Sequence, residues 1–386
     1  MRILVFSNLP PYVIGGAENQ VARLVSVWLA AGHHVVVAGH RLPGDYVWLN
    51  GLRVQTHRIR TVACFGRLGR ATSYLISTLM LLSRIRGYFD IIYCRGMGDA
   101  AMSICLAKMV KISNLPPVAC PINAKGKGDA TFIRSIPGWP LIVQMINRQC
   151  NAINLIAQAI MDDLNDLHIR VPTITAIPNG IPVQPFREVK KTGERKRMVF
   201  TGRLSHQKGL DLLISALHEL YGLGYRFELD IIGTGPMKEE LMRKIDTFSL
   251  GNYIRLKGQM AVTEIRDTLI QYDLLVLPSR YEGMSNSALE AMEAGIPAMV
   301  TRCGGIDHYI DTSNGWVCEP DDPESIKTTL KSVMDTPSKV LRKMGRSARR
   351  TVRQHFDIEL IARNNLTLFE SVLQQGHKRN DNLLIS

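Results

Sequence analysis

The sequence contains no C-x-x-C pair, and none of its seven cysteines (Cys64, Cys94, Cys105, Cys120, Cys150, Cys303, Cys318) has a histidine at ligand spacing. That excludes the usual zinc frameworks, so no metal site is expected. The cysteines read as reduced and structural, four of them small hydrophobes inside apolar runs. No apolar run approaches the roughly 18 residues of a spanning helix, and no charged, apolar leader precedes the first strand, so the cytoplasm is the expected location. Acidic residues are scarce in the first 150 positions: Glu18, Asp45, Asp90, Asp99 and Asp129 face 17 lysines and arginines. That stretch holds +12 of the net +13, which points to an anionic partner for that half alone. No aromatic-interleaved basic surface or recognition motif goes with the charge, which argues against nucleic acid. Histidine is missing altogether between His57 and His168.

What is present is ordinary for a folded chain, with 46% apolar and 21% charged residues over 386 positions. That length is too great for one core and suits two domains of roughly 150–200 residues. Apolar segments at 2–6, 34–40, 53–59, 90–96, 117–122, 152–159 and 173–180 read as strands separated by helical stretches. A second series follows at 197–204, 227–235, 253–258, 273–279, 297–303 and 315–320. Such alternation means βαβ units and parallel sheets. The expected division is a Rossmann-like domain over 1–182, a charged linker over 183–196 and a second such domain over 197–357. A helix over 358–373 is expected to cross back to the first domain, with a frayed tail to 386. Two halves of this kind face each other across a cleft between the carboxyl ends of their sheets, where a ligand belongs.

The richest stretch is residues 282–295, EGMSNSALEAMEAG. It follows a short buried strand closed by Pro278, and Ser285 is placed to cap a helix starting near Asn286. The first turn of that helix favours an anion over the strand end. Glu290, one turn inside, can accept two hydrogen bonds from a vicinal diol, while Glu282 on the loop reaches another hydroxyl of the same ligand. Together they suggest a sugar nucleotide. The spacing alone equally fits a surface helix with glutamates outward and Leu289 and Met292 inward. At the first strand end of the second half, GRLSHQKG (202–209) brings out Arg203 and Lys208 before a helix. A guanidinium, an ammonium and helical N–H groups can hold a diphosphate without a metal, or can be two solvated loop charges. Near the N-terminus, Gly15 and Gly16 open a helix after a long turn, which reads as a phosphate approach or as a tight turn. The segment 72–86 is a mostly apolar helix, read first as core. Arg67, Arg70, Arg84 and Arg86 around it leave a membrane-surface role open.

The order strand, EG, capped helix, EAMEAGIP, strand, Gly304-Gly305 closely resembles the E-x7-E region of retaining glycosyltransferases of family 4. PPYVIGGAE is similar to that family's glycine loop, GRLSHQKG to its G-R-x-x-x-x-K-G element, GTGP (233–236) to its G-x-G-P turn and IPNGIP (177–182) to its hinge. The resemblance covers essentially the full length. It implies an α/β, GT-B fold: two facing Rossmann-like domains with parallel sheets and a cleft between them, the first binding acceptor and the second the donor.

By the same resemblance Gly15 and Gly16 face the donor diphosphate, Arg203 and Lys208 bind it, and Gly235 lies in the donor turn. Glu290 takes the ribose and Glu282 the transferred sugar, while Gly283, Met284, Ser285 and Asn286 line sugar and phosphate. Glu282, Arg203 and Lys208 carry the chemistry. The implied reaction moves a hexosyl unit, without a cofactor or metal, from a UDP- or GDP-linked sugar to a glycan or lipid-linked acceptor. Bacterial cell-surface polysaccharide synthesis is the expected setting, with the first domain contacting an anionic membrane on its cytoplasmic face. The sequence departs from the family at the turn over 119–129, where many members carry a histidine. Asn123 or Lys125 could take that position, with Arg95 nearby on the acceptor side. A phosphorylase would need a motif for a cofactor-binding lysine, and none is seen. A sugar-nucleotide epimerase or an inactive binding partner shares the architecture.

Overall fold

RILVF, HVVVAG and IIYCR are too apolar to leave either face in water, and in the computed structural model they lie side by side, parallel, in the middle of a sheet. Residues 1–62, 64, 66–124, 128–187 and 195–384 are described, with backbone alone at 262–263 and 377–384. They divide into two units, Met1–Pro182 with Ile358–Ser386, and Val183–Asp357.

The first unit runs β1 (Arg2–Phe6), α1 (Gly16–Ala30), β2 (His34–Gly39), β3 (Tyr46–Leu49), β4 (Leu52–Arg58), α2 (Gly66–Arg84) and β5 (Ile91–Arg95). It continues with α3 (Asp99–Met109), β6 (Pro117–Cys120), α4 (Asp129–Arg134), α5 (Trp139–Gln149), β7 (Ala152–Leu155), α6 (Ala159–Asp166) and β8 (Thr173–Ala176). The sheet order is β3-β4-β2-β1-β5-β6-β7-β8, parallel except for β3. The second unit runs β9 (Lys196–Thr201), α7 (Leu210–Gly222), β10 (Phe227–Ile232), α8 (Lys238–Thr247), β11 (Ile254–Gly258) and α9 (Val262–Leu269). It ends with β12 (Leu274–Leu277), α10 (Asn286–Glu293), β13 (Ala298–Thr301), β14 (Gly315–Cys318), α11 (Pro323–Asp335) and α12 (Ser338–His355). Its sheet is fully parallel in the order β11-β10-β9-β12-β13-β14. Both sheets reverse direction of growth beside their first strand, at β1/β5 and at β9/β12. Ligand sites of doubly wound sheets form at that point, outside the carboxyl ends of the strands.

The last helix, α13 (Ile358–Leu384), closes the core of the first unit. Trp28 of α1 donates its indole N–H to the Ala362 carbonyl at 3.1 Å, and Phe369 packs edge-on against Trp28 with ring centres 5.5 Å apart. Tyr93 of β5 completes the cluster.

Four features differ from the sequence expectations. A short antiparallel strand, β3, borders β4 through a turn in which Asn50 and Gly51 both have positive φ, the conformation that an Asn-Gly pair favours. The helix α2 is only partly core: it packs against α3, but only Thr78 and Leu82 are fully buried, and Leu68, Ile76 and Met80 stand exposed. The chain stays helical to Leu384, since the polar tail contains no proline to stop it. Residues 183–187 belong to the second unit, held by hydrogen bonds at Gln184, while 188–194 of the expected linker lie outside the described residues.

Candidate functional site

The end of β9 and the end of β12 are neighbours at the switch point of the second sheet, and the loops leaving them carry the charged residues singled out above. After β9 a single 3-10 turn, His206–Lys208, ends at Gly209, whose φ of +63° and whose approach to the Pro278 carbonyl leave no room for a Cβ. That contact sets Lys208 against the β12 loop, where its ammonium forms a close ion pair with Glu282. Both side chains are about one-sixth exposed, at 14% and 17%. The same Glu282 oxygen accepts from the Ser279 hydroxyl at 3.1 Å, so the carboxylate is held from two sides. Arg203 stands exposed on the same loop and makes no side-chain hydrogen bond or ion pair among the described residues. Lys208 thus already faces an anion of the protein, and Arg203 is the cation of the pair with its charge uncommitted. Arg280 braces the junction: its guanidinium grips Asp211 of α7 at 2.7 and 2.8 Å, Asp321 at 2.8 Å and the His206 carbonyl.

The helix after β12 begins as the sequence suggested, with the Ser285 hydroxyl accepting from the Ala288 N–H at 3.4 Å. Met284 and Ser285 are buried, and Asn286 and Glu290 are half-buried. Gly283 and Gly305 meet backbone to backbone, since a Cβ on Gly305 would come within 1.8 Å of the Gly283 carbonyl oxygen. Gly235 similarly lies against the Leu204 carbonyl, so its smallness packs the β10 turn onto the Arg203 loop. The third glutamate of the stretch has a different place. Glu293 is 2% exposed and accepts from Arg266 at 2.7 Å, from Arg349 of α12, and from the Gln184 N–H at 3.0 Å. It ties three elements together.

In the first unit, the corresponding switch point holds a polar cavity of about 190 Å³ lined by Ser7, Glu18, His40, Tyr74, Arg95 and Asp99 among others. Gly15 precedes α1 in an extended conformation that any residue adopts, and a Cβ there would meet only the end of the flexible Glu18 side chain, which can move aside, so neither φ nor space demands glycine. Gly16 is the first residue of α1 and is exposed. Arg95 reaches the cavity but is buried and committed, donating to Asn179 at 2.7 Å and to the Cys120 sulfur at 3.0 Å. Asn123 is half-buried in the loop after β6, and Lys125 lies outside the described residues. That loop is anchored by Asp129, which accepts from the N–H groups of Met97 and Ile122 at 2.8 Å. Sequence reasoning missed His40 and Asp99. Burial lowers the His40 pKa and raises that of Asp99, so the cavity favours neutral forms of both. Their signal was position: each lies just past the end of a central strand.

Residues 184–351 match the family model for glycosyl transferases group 1. The match falls within the second unit. Over 94% of this chain and 92% of its own length, a glycogen synthase of Mycobacterium tuberculosis is 26% identical. A GDP-mannose-dependent monoacylated alpha-(1-6)-phosphatidylinositol monomannoside mannosyltransferase of Corynebacterium glutamicum is 23% identical over 61% of this chain and 66% of its own. Among solved structures, Anabaena HepE in complex with UDP and glucose superposes with a TM-score of 0.75 at 18% identity, covering 96% of this chain and all of that one. Two Rossmann-like α/β units with parallel sheets, matched in this way, are the GT-B fold. Fold and group 1 domain together support a glycosyltransferase. Among the described residues no three-residue His, Cys, Asp or Glu cluster suits a metal, and no helix is long and apolar enough to cross a membrane.

Proposed function

We propose that this glycosyltransferase belongs to family 4 and transfers a hexosyl unit, with retention, from a nucleotide-diphosphate sugar to a glycan or lipid-linked acceptor. The observation that carries this reading is the Lys208–Glu282 pair beside uncommitted Arg203 at the β9/β12 switch point, over a capped helix N-terminus. The HepE complex with UDP and glucose supports a UDP-linked donor, while the GDP-mannose-dependent relative keeps GDP in view. The ammonium of Lys208 has three N–H donors, enough to bridge Glu282 and a donor phosphate at once. Arg203 supplies the remaining charge, so the leaving diphosphate is stabilised without a metal. The acceptor hydroxyl attacks on the face that the diphosphate leaves, and a departing phosphate oxygen takes its proton. Glu282 orients the transferred sugar, and Glu290 on α10 takes the ribose. The acceptor enters by the cavity of His40 and Asp99 in the first unit. Cell-surface polysaccharide synthesis in a bacterium, at the inner face of an anionic cytoplasmic membrane, is the setting that the basic first unit fits.

The test is transfer by the purified protein from a panel of UDP- and GDP-sugars in the presence of EDTA, with the anomeric configuration of the product read by NMR. Lys208→Met and Arg203→Gln should each lower turnover about a hundredfold, the loss of a key electrostatic donor worth roughly 3–4 kcal/mol. Unchanged turnover in both, rescue of activity only by Mg2+, or an inverted product would refute the reading.

A further inference from the structure

A concavity of about 760 Å³ lies between the exit of β4 and the outer face of α2. His57, Arg58, Arg60 and Val62 line one side; Met80 and Arg84 line the other. No acidic residue lines it. Some arginines elsewhere in the unit are engaged: Arg2 pairs with Asp90, Arg67 stacks on Phe132, and Arg134 caps α6 at the Asp166 carbonyl. Arg58, Arg60 and Arg84 are exposed, and their side chains have no hydrogen bond or ion pair among the described residues. Three guanidinium groups around one concavity repel one another unless an anion joins them.

Beside this basic mouth runs an apolar stripe. Leu68, Ile76 and Met80 recur along α2 at four-residue spacing or its multiple and are 72%, 54% and 56% exposed, with Val62 exposed next to them. An inorganic phosphate or a free nucleotide would use the arginines and leave the stripe in water. An amphiphile uses both.

We propose that this groove holds the phosphate headgroup of an anionic phospholipid, with Arg58, Arg60 and Arg84 around the phosphate and the stripe of Leu68, Ile76 and Met80 in the acyl boundary. The proposal deepens the membrane contact of the proposed function and rests on it. Headgroup binding places the unit at the bilayer surface through the mouth between β4 and α2, at the same strand ends as its polar cavity, since Arg58 pairs in register with Gly39 of the cavity lining.

The experiment is sedimentation of the full-length chain with phosphatidylglycerol-containing vesicles and with purely zwitterionic ones at low salt. Wild type should bind the anionic vesicles and lose them as salt rises, because screening acts over about 8–10 Å at physiological ionic strength. The variant Arg58→Gln/Arg60→Gln/Arg84→Gln should bind roughly a hundredfold more weakly, three membrane-facing charges being removed. A control of equal charge, Arg53→Gln/Arg86→Gln/Arg148→Gln, should keep most of the affinity. Met80→Ser with Ile76→Ser should also weaken binding while leaving its salt dependence. Equal losses in the two triple variants would reduce the effect to net charge and overturn the site, as would wild-type binding by the groove variant. Displacement of the vesicles by inorganic phosphate at matched phosphate concentration would overturn the lipid assignment. Thermal stabilisation by UDP or GDP, measured in parallel, is expected to be the same in all variants. Its absence in every protein, wild type included, would count against the donor reading and leave the vesicle result standing.

Discussion

Glu293→Gln separates the structural glutamate of residues 282–295 from the two assigned to ligand. The carboxylate is buried and accepts from Arg266 and Arg349, whose side chains are themselves only 13% and 10% exposed. Removing one partner of a buried ionic group costs about 3–5 kcal/mol, because the remaining charges stay where water cannot reach them. The lower end applies here, since glutamine keeps a carbonyl for the Gln184 N–H and both arginines also donate to backbone carbonyls, Arg266 to Pro185 and Arg349 to Gln184. At about 3 kcal/mol, a unit of 150–250 residues loses roughly 6–12 °C in Tm. Scanning calorimetry of the full chain should show that drop in one of two transitions, with UDP or GDP still raising the midpoint. Glu290→Gln, one turn earlier on α10, should do the reverse, sparing Tm and weakening nucleotide. A fall of less than about 2 °C for Glu293→Gln, or loss of nucleotide binding at unchanged Tm, would refute the division of roles.

Two further outcomes follow from the first unit. Burial holds His33, His40 and His57 below their usual 6.5, so the unfolded chain takes up these protons more readily than the folded one. Stability is then full above about pH 6.5 and falls as acid carries the pH toward the lowered values; Asp99 and Asp129, raised by burial, work in the opposite sense. The calorimetric transition of this unit should move down between about pH 7 and 5.5, less so in His57→Asn, and a flat profile would refute it. Deleting residues 358–386 should uncover Trp28 and Tyr93 and give a protein that binds a hydrophobic dye and aggregates; a monodisperse truncation with unchanged melting would show that α13 is dispensable.

Much of the fold was legible because buried parallel strands are written as runs such as HVVVAG and FELDII, and the loops after β9 and β12 stood out because charge and glycine cluster at strand ends. Less legible was what only packing decides. Glu290 and Glu293 are three apart on one short helix and identical in chemistry, yet Arg349, 56 positions away, makes one of them structural. The helix α2 has enough apolar residues for a core, yet Leu68, Ile76 and Met80 are exposed, and only the packing of the helix against its neighbours decides which side chains are covered. The β3–β4 hairpin was announced by Asn50-Gly51 and overlooked, since YVWL is too short to declare itself. His40 and Asp99 carry no motif, and a cavity is needed to bring them together.

The return of α13 to the first unit has a consequence for how the chain is made. Ile358 donates its backbone N–H to the Ile181 carbonyl at 3.0 Å, so the whole second unit is an insertion whose two ends meet. On the ribosome the first 182 residues therefore emerge without the residue that finishes their core. At about 5–20 residues per second, the first 182 residues, once made, wait roughly 10–40 s for Phe369, while the inserted unit has all its own strands and can fold first. In this protein the N-terminal half is the last to be completed, and nascent-chain binding proteins have their longest opportunity on the very surface that α13 later covers.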